Sequence, residues 1–309
     1  MTDAGLDHSV AIFLSTYNGA QYLAEQLDSL LAQSHQNFCV YCRDDGSSDN
    51  TREIYQSYVD QHSSHFRWLQ GSDENLKPCA SFASLMEQFI AQKLSADYFM
   101  FCDQDDVWLE NKILESLSAI ATCTKEDQQK PLLIHTELLV VDRNLKTIAP
   151  SLSRYQGLKP GHGRFGRALI NSSVTGCTMM FNRALLECAL PVPQGAVMHD
   201  WWMAVLAQGF GKVQFLDKPL IQYRQHGGNT LGAKAQSGHA INLQFLRKLY
   251  TWVSKSYDLS YVSAQSQALL DQHGQNLSPY QKTIAKLSLL LDTPIAPMQK
   301  LLYRLIRQL

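Results

Sequence analysis

The stretch Tyr98-Phe-Met-Phe-Cys-Asp-Gln-Asp-Asp-Val-Trp108 sets a continuous apolar run directly against an acidic one. An apolar run without alternation suits a parallel strand covered on both faces. Asp103 and Asp105 stand at i and i+2, with Asp106 adjacent, where such a strand would end. Carboxylates this close repel one another strongly in a cleft unless something pairs them. A hard divalent cation relieves the repulsion. Mg²⁺ or Mn²⁺ typically takes one or two protein carboxylates and fills its shell with phosphate oxygens and water. The structural alternative is a solvated acidic turn that caps the following helix, and spacing alone leaves both readings open.

Outward from this stretch, strands and helices alternate. Val10-Ala-Ile-Phe-Leu14 is another unbroken apolar run, and Leu23, Leu27, Leu30 and Leu31 recur at helical spacing, predicting a helix from about Ala20 to Gln33. Phe38 to Cys42 reads as a second strand ending in Arg43-Asp-Asp-Gly-Ser47, with Ser48 as the N-cap of the helix after it. Phe66 to Leu69 is a third strand, Phe82, Leu85, Met86, Phe89 and Ile90 mark a helix face, and Tyr98 to Cys102 is the fourth strand. Helix Asn111 to Ala121 and strand Leu132 to Val141 follow. Elements of this length in this order imply right-handed crossovers and a largely parallel sheet, an α/β fold. Ligands of open α/β sheets bind beyond the carboxyl ends of the strands. Ser15-Thr-Tyr-Asn18, Asp44-Asp45 and Asp103 to Asp106 fall at such ends and are expected to converge.

Residues 143–230 are less regular: a loop at Lys159 to Gly163, a strand at Cys177 to Phe181, a helix at Asp200 to Ala207. From about Asn242 the pattern is helical, with breaks near Gly274 to Pro279 and Thr293 to Pro297. The expected organisation is a catalytic domain over residues 1–232 and a helical region over 233–309. Bulk properties narrow the classes. Apolar residues make up 45% and charged residues 18% of 309 positions, as in a chain with a packed core. A formal charge of −1 supplies no broad basic field for nucleic acid. The start lacks a signal-peptide pattern, and no apolar run is long enough to span a bilayer. Seven cysteines scattered through apolar segments suit buried thiols in a reducing compartment, so a cytoplasmic location is expected.

Six segments in order carry a resemblance. Leu14-Ser-Thr-Tyr-Asn-Gly19, Arg43-Asp-Asp-Gly-Ser-Ser-Asp-Asn-Thr51 and Phe101-Cys-Asp-Gln-Asp-Asp-Val-Trp108 resemble the family-two glycosyltransferases of the GT-A fold. Asn171-Ser-Ser-Val-Thr-Gly-Cys-Thr-Met-Met180, His199-Asp-Trp-Trp202 and Tyr223-Arg-Gln-His-Gly-Gly-Asn229 are similar to the rhamnosyltransferase-like branch. The resemblance spans Val10 to Gly232 and implies a metal-dependent transfer from a nucleotide-diphosphate sugar, favoured as dTDP-rhamnose, to a saccharide or lipid-linked saccharide in surface polysaccharide synthesis. It implies that Thr16, Tyr17, Asp44 and Asp45 line the nucleotide pocket, that Asp103 approaches the ribose or metal, and that Asp105 binds a divalent Mg or Mn bridging the diphosphate. Asp200 would be the general base, and His226 would lie near the diphosphate or complete the metal shell. Leu76 departs from the pattern, standing where many relatives carry glycine after asparagine.

The chemistry of the residues agrees. Asp200 precedes two tryptophans, and apolar surroundings raise a carboxyl pKa toward working pH; the alternative is a helix cap. Trp201 and Trp202 are candidates to stack on an acceptor sugar, or are core. Arg224 is an alternative phosphate contact. Gly161-His-Gly-Arg-Phe-Gly166 spells a dinucleotide-binding pattern without the strand it requires. Cys39 and Cys42 lie within one strand on opposite faces, unsuited to sharing a metal. Asn171 and Asn276 head sequons that a cytosolic location leaves unused. The tail Lys300 to Leu309 is amphipathic and basic, which suits peripheral contact with the inner membrane face or packing on protein. Two rival functions remain: a sugar nucleotidyltransferase, disfavoured because Ser15 to Gly19 has no basic residue for a triphosphate, and a non-catalytic nucleotide-sugar-binding scaffold.

Overall fold

A computed structural model of the chain describes residues 7–69, 74–158, 160, 163–226 and 257–309. The first half runs β1 (Val10–Thr16), α1 (Leu23–Leu31), β2 (Phe38–Asp44), α2 (Thr51–Gln61), β3 (Phe66–Trp68), α3 (Lys77–Ala91), β4 (Tyr98–Cys102), β5 (Val107–Trp108) and α4 (Lys112–Ala121). The second half adds α5 (Lys125–Gln129), β6 (Leu132–Asp142), β7 (Thr147–Ala149), α6 (Leu152–Gln156), α7 (Phe165–Ile170), β8 (Met179–Asn182), α8 (Arg183–Ala189), α9 (His199–Phe210) and β9 (Lys212–Gln225). Helices α10 (Ser260–His273), α11 (Pro279–Leu289) and α12 (Ala296–Gln308) form the C-terminal region.

The strands make one sheet in the order β3-β2-β1-β4-β8-β6-β9-β5, with β7 beside β6. Pairing is parallel through β3-β2-β1-β4 and again between β6 and β9, while β8 runs antiparallel between β4 and β6. Because β8 reverses direction twice over, β6 and β9 point the same way as β1 and β4. The carboxyl ends of all these strands therefore share one sheet edge.

The apolar runs are continuous because both sheet faces are covered. Ala11 and Phe13 of β1 join one core with Phe89, Phe99, Phe101 and Phe181, while Val10, Ile12 and Leu14 join a second with Leu23, Leu27 and Leu30. Phe13 and Phe99 stack with ring centres 5.9 Å apart, and each buried aromatic contributes about 1.5–3 kcal/mol. Cys39 and Cys42 pack into opposite cores, and every cysteine is free.

Several expected boundaries move, among them that of the strand expected from Cys177, which starts at Met179. The helix expected from Ala20 starts at Leu23, because the amides of Gly19 and Ala20 are taken by Thr51 and Asp49. Ser48 caps nothing; α2 starts after Asn50, and the Ser48 amide and hydroxyl donate to Asn18 Oδ1. The expected loop at Lys159 to Gly163, the start of the helical tail near Asn242 and the boundary near residue 232 fall partly or wholly outside the described residues. Helices α10, α11 and α12 pack into the same core as Phe165, Leu169 and Trp202, through Val262, Leu269, Ile284 and Ile306. Gly166, the last glycine of the dinucleotide-like pattern, lets α12 approach α7: an added Cβ would stand 2.3 Å from the Ile306 carbonyl oxygen.

Candidate active site

The expected convergence of strand tips is realised through backbone latches. Asn18 N–H donates to Ser47 Oγ at 2.9 Å, joining the tips of β1 and β2. On the other side of β1, Gln104 pairs with Tyr17, its Oε1 accepting the Tyr17 N–H and its Nε2 donating to the Tyr17 carbonyl, both at 2.9 Å. A Cβ on Gly19 would stand 2.1 Å from Gln104 Oε1, so glycine is what lets this amide lie flat against the β1 turn.

Asp44 and Asp45 build the loop rather than face the cleft. Asp44 accepts from Thr16 Oγ1, the Ser47 amide and hydroxyl, and Arg52 Nε. Burial pushes its pKa up, and the hydrogen bonds from Ser47, Arg52 and Thr16 outweigh this and bring it below the usual range. Asp45 pairs with buried Arg43 and accepts the amides of Leu76 and Lys77, which fixes the segment where Leu76 departs from the family pattern. Thr16 is fully buried, with its hydroxyl on Asp44.

At the β4 tip, Asp103, Asp106 and Cys177 bring one ligand atom each within 4.8 Å of one another and form a divalent-metal-binding site. The donor set fits a hard ion through its carboxylates. Asp106 is fully buried; its Oδ1 accepts the Arg224 amide at 3.1 Å, while Oδ2 is buried without a partner. Burial, followed by the charges of Asp105 and Asp200, raises Asp103 to about 7, and burial with the charges of Asp103 and Asp105 pushes Asp106 well up. A divalent cation is what lets such a pair ionise together. Burial holds the Cys177 thiol protonated, leaving it the weakest donor of the three. Lys112, buried over the Trp108 ring at 3.3 Å, backs the cluster.

The expected metal pair, Asp105 and His226, is brought together across 121 residues, with Nε2 2.7 Å from Asp105 Oδ2. Arg224, in contrast, is a strut. It is buried and holds the carbonyls of Asp105 and Arg143 and the carboxylate of Glu25, so it is not placed to meet a phosphate.

Asp200 lies in the first turn of α9. Its Oδ2 accepts the Gly176 amide at 2.8 Å and its Oδ1 the Trp201 amide at 2.6 Å. Burial raises it to about 6, against these backbone hydrogen bonds. Its charge is felt at Asp103, so Asp200 and the acidic cluster are neighbours. His199 beside it is a core residue, stacked on Phe82 at 4.3 Å and lowered to about 3 by burial. Trp202 is fully buried and gives its N–H to the Ala189 carbonyl, which corrects its candidacy as an acceptor platform. Trp201 is half-buried, with its N–H on the Ala168 carbonyl.

A cleft of about 640 Å³ opens at this sheet edge, lined by Tyr17, Asn18, Gln104, Asp105, Asp142, Arg143 and His226 among others. Asp142 and Arg143 were missed from sequence. The rule that singled out the ends of β1, β2 and β4 applies equally to β6, but β6 was recognised without its place in the sheet.

Comparisons with known proteins identify the family. The profile described as Glycosyl transferase family 2 matches residues 11–188. A dTDP-rhamnosyl transferase, RfbG, of Shigella flexneri is 24% identical over 228 residues, covering 71% of this chain and 74% of its own length. An uncharacterised glycosyltransferase of Nostoc is 25% identical over 261 residues, covering 77% and 74%. Among solved structures, S. aureus TarS 1–349 in complex with UDP-GlcNAc superposes with a TM-score of 0.52 at 16% identity, covering 97% of this chain and 90% of that one. A Pyrobaculum calidifontis mannosyltransferase in complex with GDP-Man and Mn²⁺ gives 0.51 at 13% identity, covering 97% and 74%. These two likenesses speak to the fold. With the profile covering more than half of the chain, the protein belongs to glycosyl transferase family 2 and is a glycosyltransferase.

Proposed function

We propose that the enzyme transfers a sugar from a nucleotide-diphosphate donor to a hydroxyl of a saccharide or lipid-linked saccharide, with inversion, in surface polysaccharide synthesis. The observation that carries this reading is the cleft, where the tips of β1, β4, β6 and β9 place Tyr17, Asp105, Arg143 and His226 around a space sized for a nucleotide sugar. Tyr17, half exposed, faces the nucleotide from a turn that Asp44 and Asp45 hold from behind. Arg143 meets the diphosphate. Asp103, Asp105, Asp106 and His226 would hold a divalent Mg or Mn, whose charge offsets that gathering on the departing diphosphate. Asp200 accepts the proton of the acceptor hydroxyl, the oxygen so freed bonds to the anomeric carbon, and the bond to diphosphate breaks on the opposite face. Trp201 is the remaining aromatic candidate beside the acceptor.

Rhamnose from dTDP-rhamnose is the favoured donor, supported by the motif resemblance and by the Shigella relative. The peripheral-membrane reading is supported by α12. Met298, Leu301 and Leu305 are 40%, 67% and 48% exposed on a helix that carries Lys300, Arg304 and Arg307 and no acidic residue, the pattern of an interfacial helix. Among the described residues no helix is long and apolar enough to cross a membrane. A thermal-shift panel of dTDP-, UDP- and GDP-sugars with and without Mn²⁺ tests the donor, since selective binding raises the melting temperature. The expected result is the largest metal-dependent shift with dTDP-rhamnose, followed by transfer. No shift with any nucleotide sugar would overturn the reading.

A further inference from the structure

A second cavity, of about 110 Å³, lies between α7, β6 and α9 and shares no lining residue with the 640 Å³ cleft. Its polar lining comes from His135, Arg167, Asn171, Ser173 and Gln208. His135 is 2% exposed, yet among the described residues its ring meets no hydrogen-bond partner, and the same holds for the side chains of Arg167, Asn171 and Ser173. Arg167, Asn171 and Ser173 are half-buried and line the cavity together with His135, so their polar atoms converge on one open space where a ligand can take them as hydrogen-bond partners. His135 is held neutral by burial, which lowers it to about 4. A neutral imidazole offers one donor and one acceptor, the complement of a sugar hydroxyl.

Charge points to the rest of the ligand. Arg307 of α12 stands near enough for its charge to lower Arg167, after burial. Neither guanidinium has a carboxylate partner among the described residues. Like charges held together by the packing of α12 on α7 are relieved by an anion, and Arg suits phosphate oxygens.

The cavity is tied to the base by two routes. Ala204 and Gln208 line it from α9, the helix that starts at Asp200, about 6 and 12 Å further along the axis. Ser172, Ser173 and Val174 line it from the segment that runs on into Gly176, whose amide holds Asp200. This is the reach of a short saccharide whose far end carries the reacting hydroxyl.

We propose that this cavity is an acceptor subsite for a glycosyl phosphate, with Arg167 on the phosphate oxygens and Asn171, Ser173 and His135 on the sugar hydroxyls. It deepens the reading that Asp200 receives an acceptor hydroxyl, and it names the acceptor's chemical class. The phosphate could come from a soluble glycosyl phosphate or from the head of a lipid diphosphate.

The test is calorimetric titration of the full-length protein with α-D-glucose 1-phosphate, with saturating dTDP and Mn²⁺ present so that the donor cleft is filled. Saturable binding is expected, about tenfold tighter than that of inorganic phosphate or glucose alone. Arg167→Ala and Arg167→Gln should each weaken it about tenfold, as loss of a charged hydrogen-bond partner does. Asn171→Ala should weaken it several-fold. Binding of dTDP should be unchanged in all three variants, which serves as the folding control. A farnesyl diphosphate ester of glucose separates the sources: tighter binding than glucose 1-phosphate marks a lipid-linked unit, and equal binding a soluble one, provided Arg167→Ala weakens either about tenfold. Absence of saturable binding in the presence of dTDP, or full affinity in Arg167→Ala, would overturn the subsite. Donor binding is read in its own titration, so failure of the donor reading would show there and leave the glucose 1-phosphate arm interpretable.

Discussion

Gln104 grips Tyr17 by both of its backbone groups, and Gly19 lies against the same amide. The side chain between Asp103 and Asp105 is thus the clamp that sets the β1 turn, which is proposed to face the nucleotide. Gly19→Ala is expected to displace it and to weaken donor binding about tenfold. In a Gln104→Ala background the same glycine substitution should cost much less, a coupling of about 1 kcal/mol. A double-mutant cycle in nucleotide titrations measures this, and additive losses would show that the two residues act separately.

Asp200 is raised to about 6 by burial. As a base it works only ionised, so kcat/KM should fall about tenfold per pH unit below about 6 and level off above it. Asp200→Asn should lower kcat by about 10²–10⁴-fold with donor affinity within a few-fold of wild type. If donor affinity collapsed together with turnover, Asp200 would be a donor ligand and not the base.

Removal of divalent metal with EDTA should abolish transfer, and Mn²⁺ should restore it. Asp105→Ala should lose metal-dependent donor binding or turnover while the far-UV circular dichroism stays native. Asp106→Asn should weaken Mn²⁺ binding by an order of magnitude or more, since its buried Oδ2 has no other partner. Calorimetric Mn²⁺ titration of the two variants checks this; unchanged affinity in both would dismantle the metal assignment.

Membrane contact through α12 predicts co-sedimentation with vesicles containing anionic phosphatidylglycerol, weaker with neutral phosphatidylcholine vesicles and at high salt. Leu301→Asp with Leu305→Asp should abolish it without lowering the melting temperature, because both side chains point outward. Wild-type binding that ignores lipid charge would count against this surface.

Much of the site could be read along the chain because strand runs and strand tips are local. Val10 to Leu14 and Tyr98 to Cys102 had to be strands buried on both faces, and the acidic residues after β2 and β4 had to sit at one sheet edge. Trp202 shows where this stops: beside an acid it resembles a sugar platform, but it is fully buried, against Ala189 of α8 and His273 of α10. The long strand β9, with Pro219 near its middle, carries too little alternation to announce itself, so the path bringing His226 to Asp105 stayed hidden.

The local order of apolar and acidic residues settled the class of fold and marked the strand ends where carboxylates gather, because periodicity and side-chain type belong to single elements. Strand order settled everything that needs two distant elements at once. That β8 slips antiparallel between β4 and β6 decides that Cys177 meets Asp103 and Asp106. It also brings Arg143 and His226 to the edge where Asp105 already stood. Such meetings depend on packing across the whole sheet, a many-body balance of burial and pairing that no segment encodes alone.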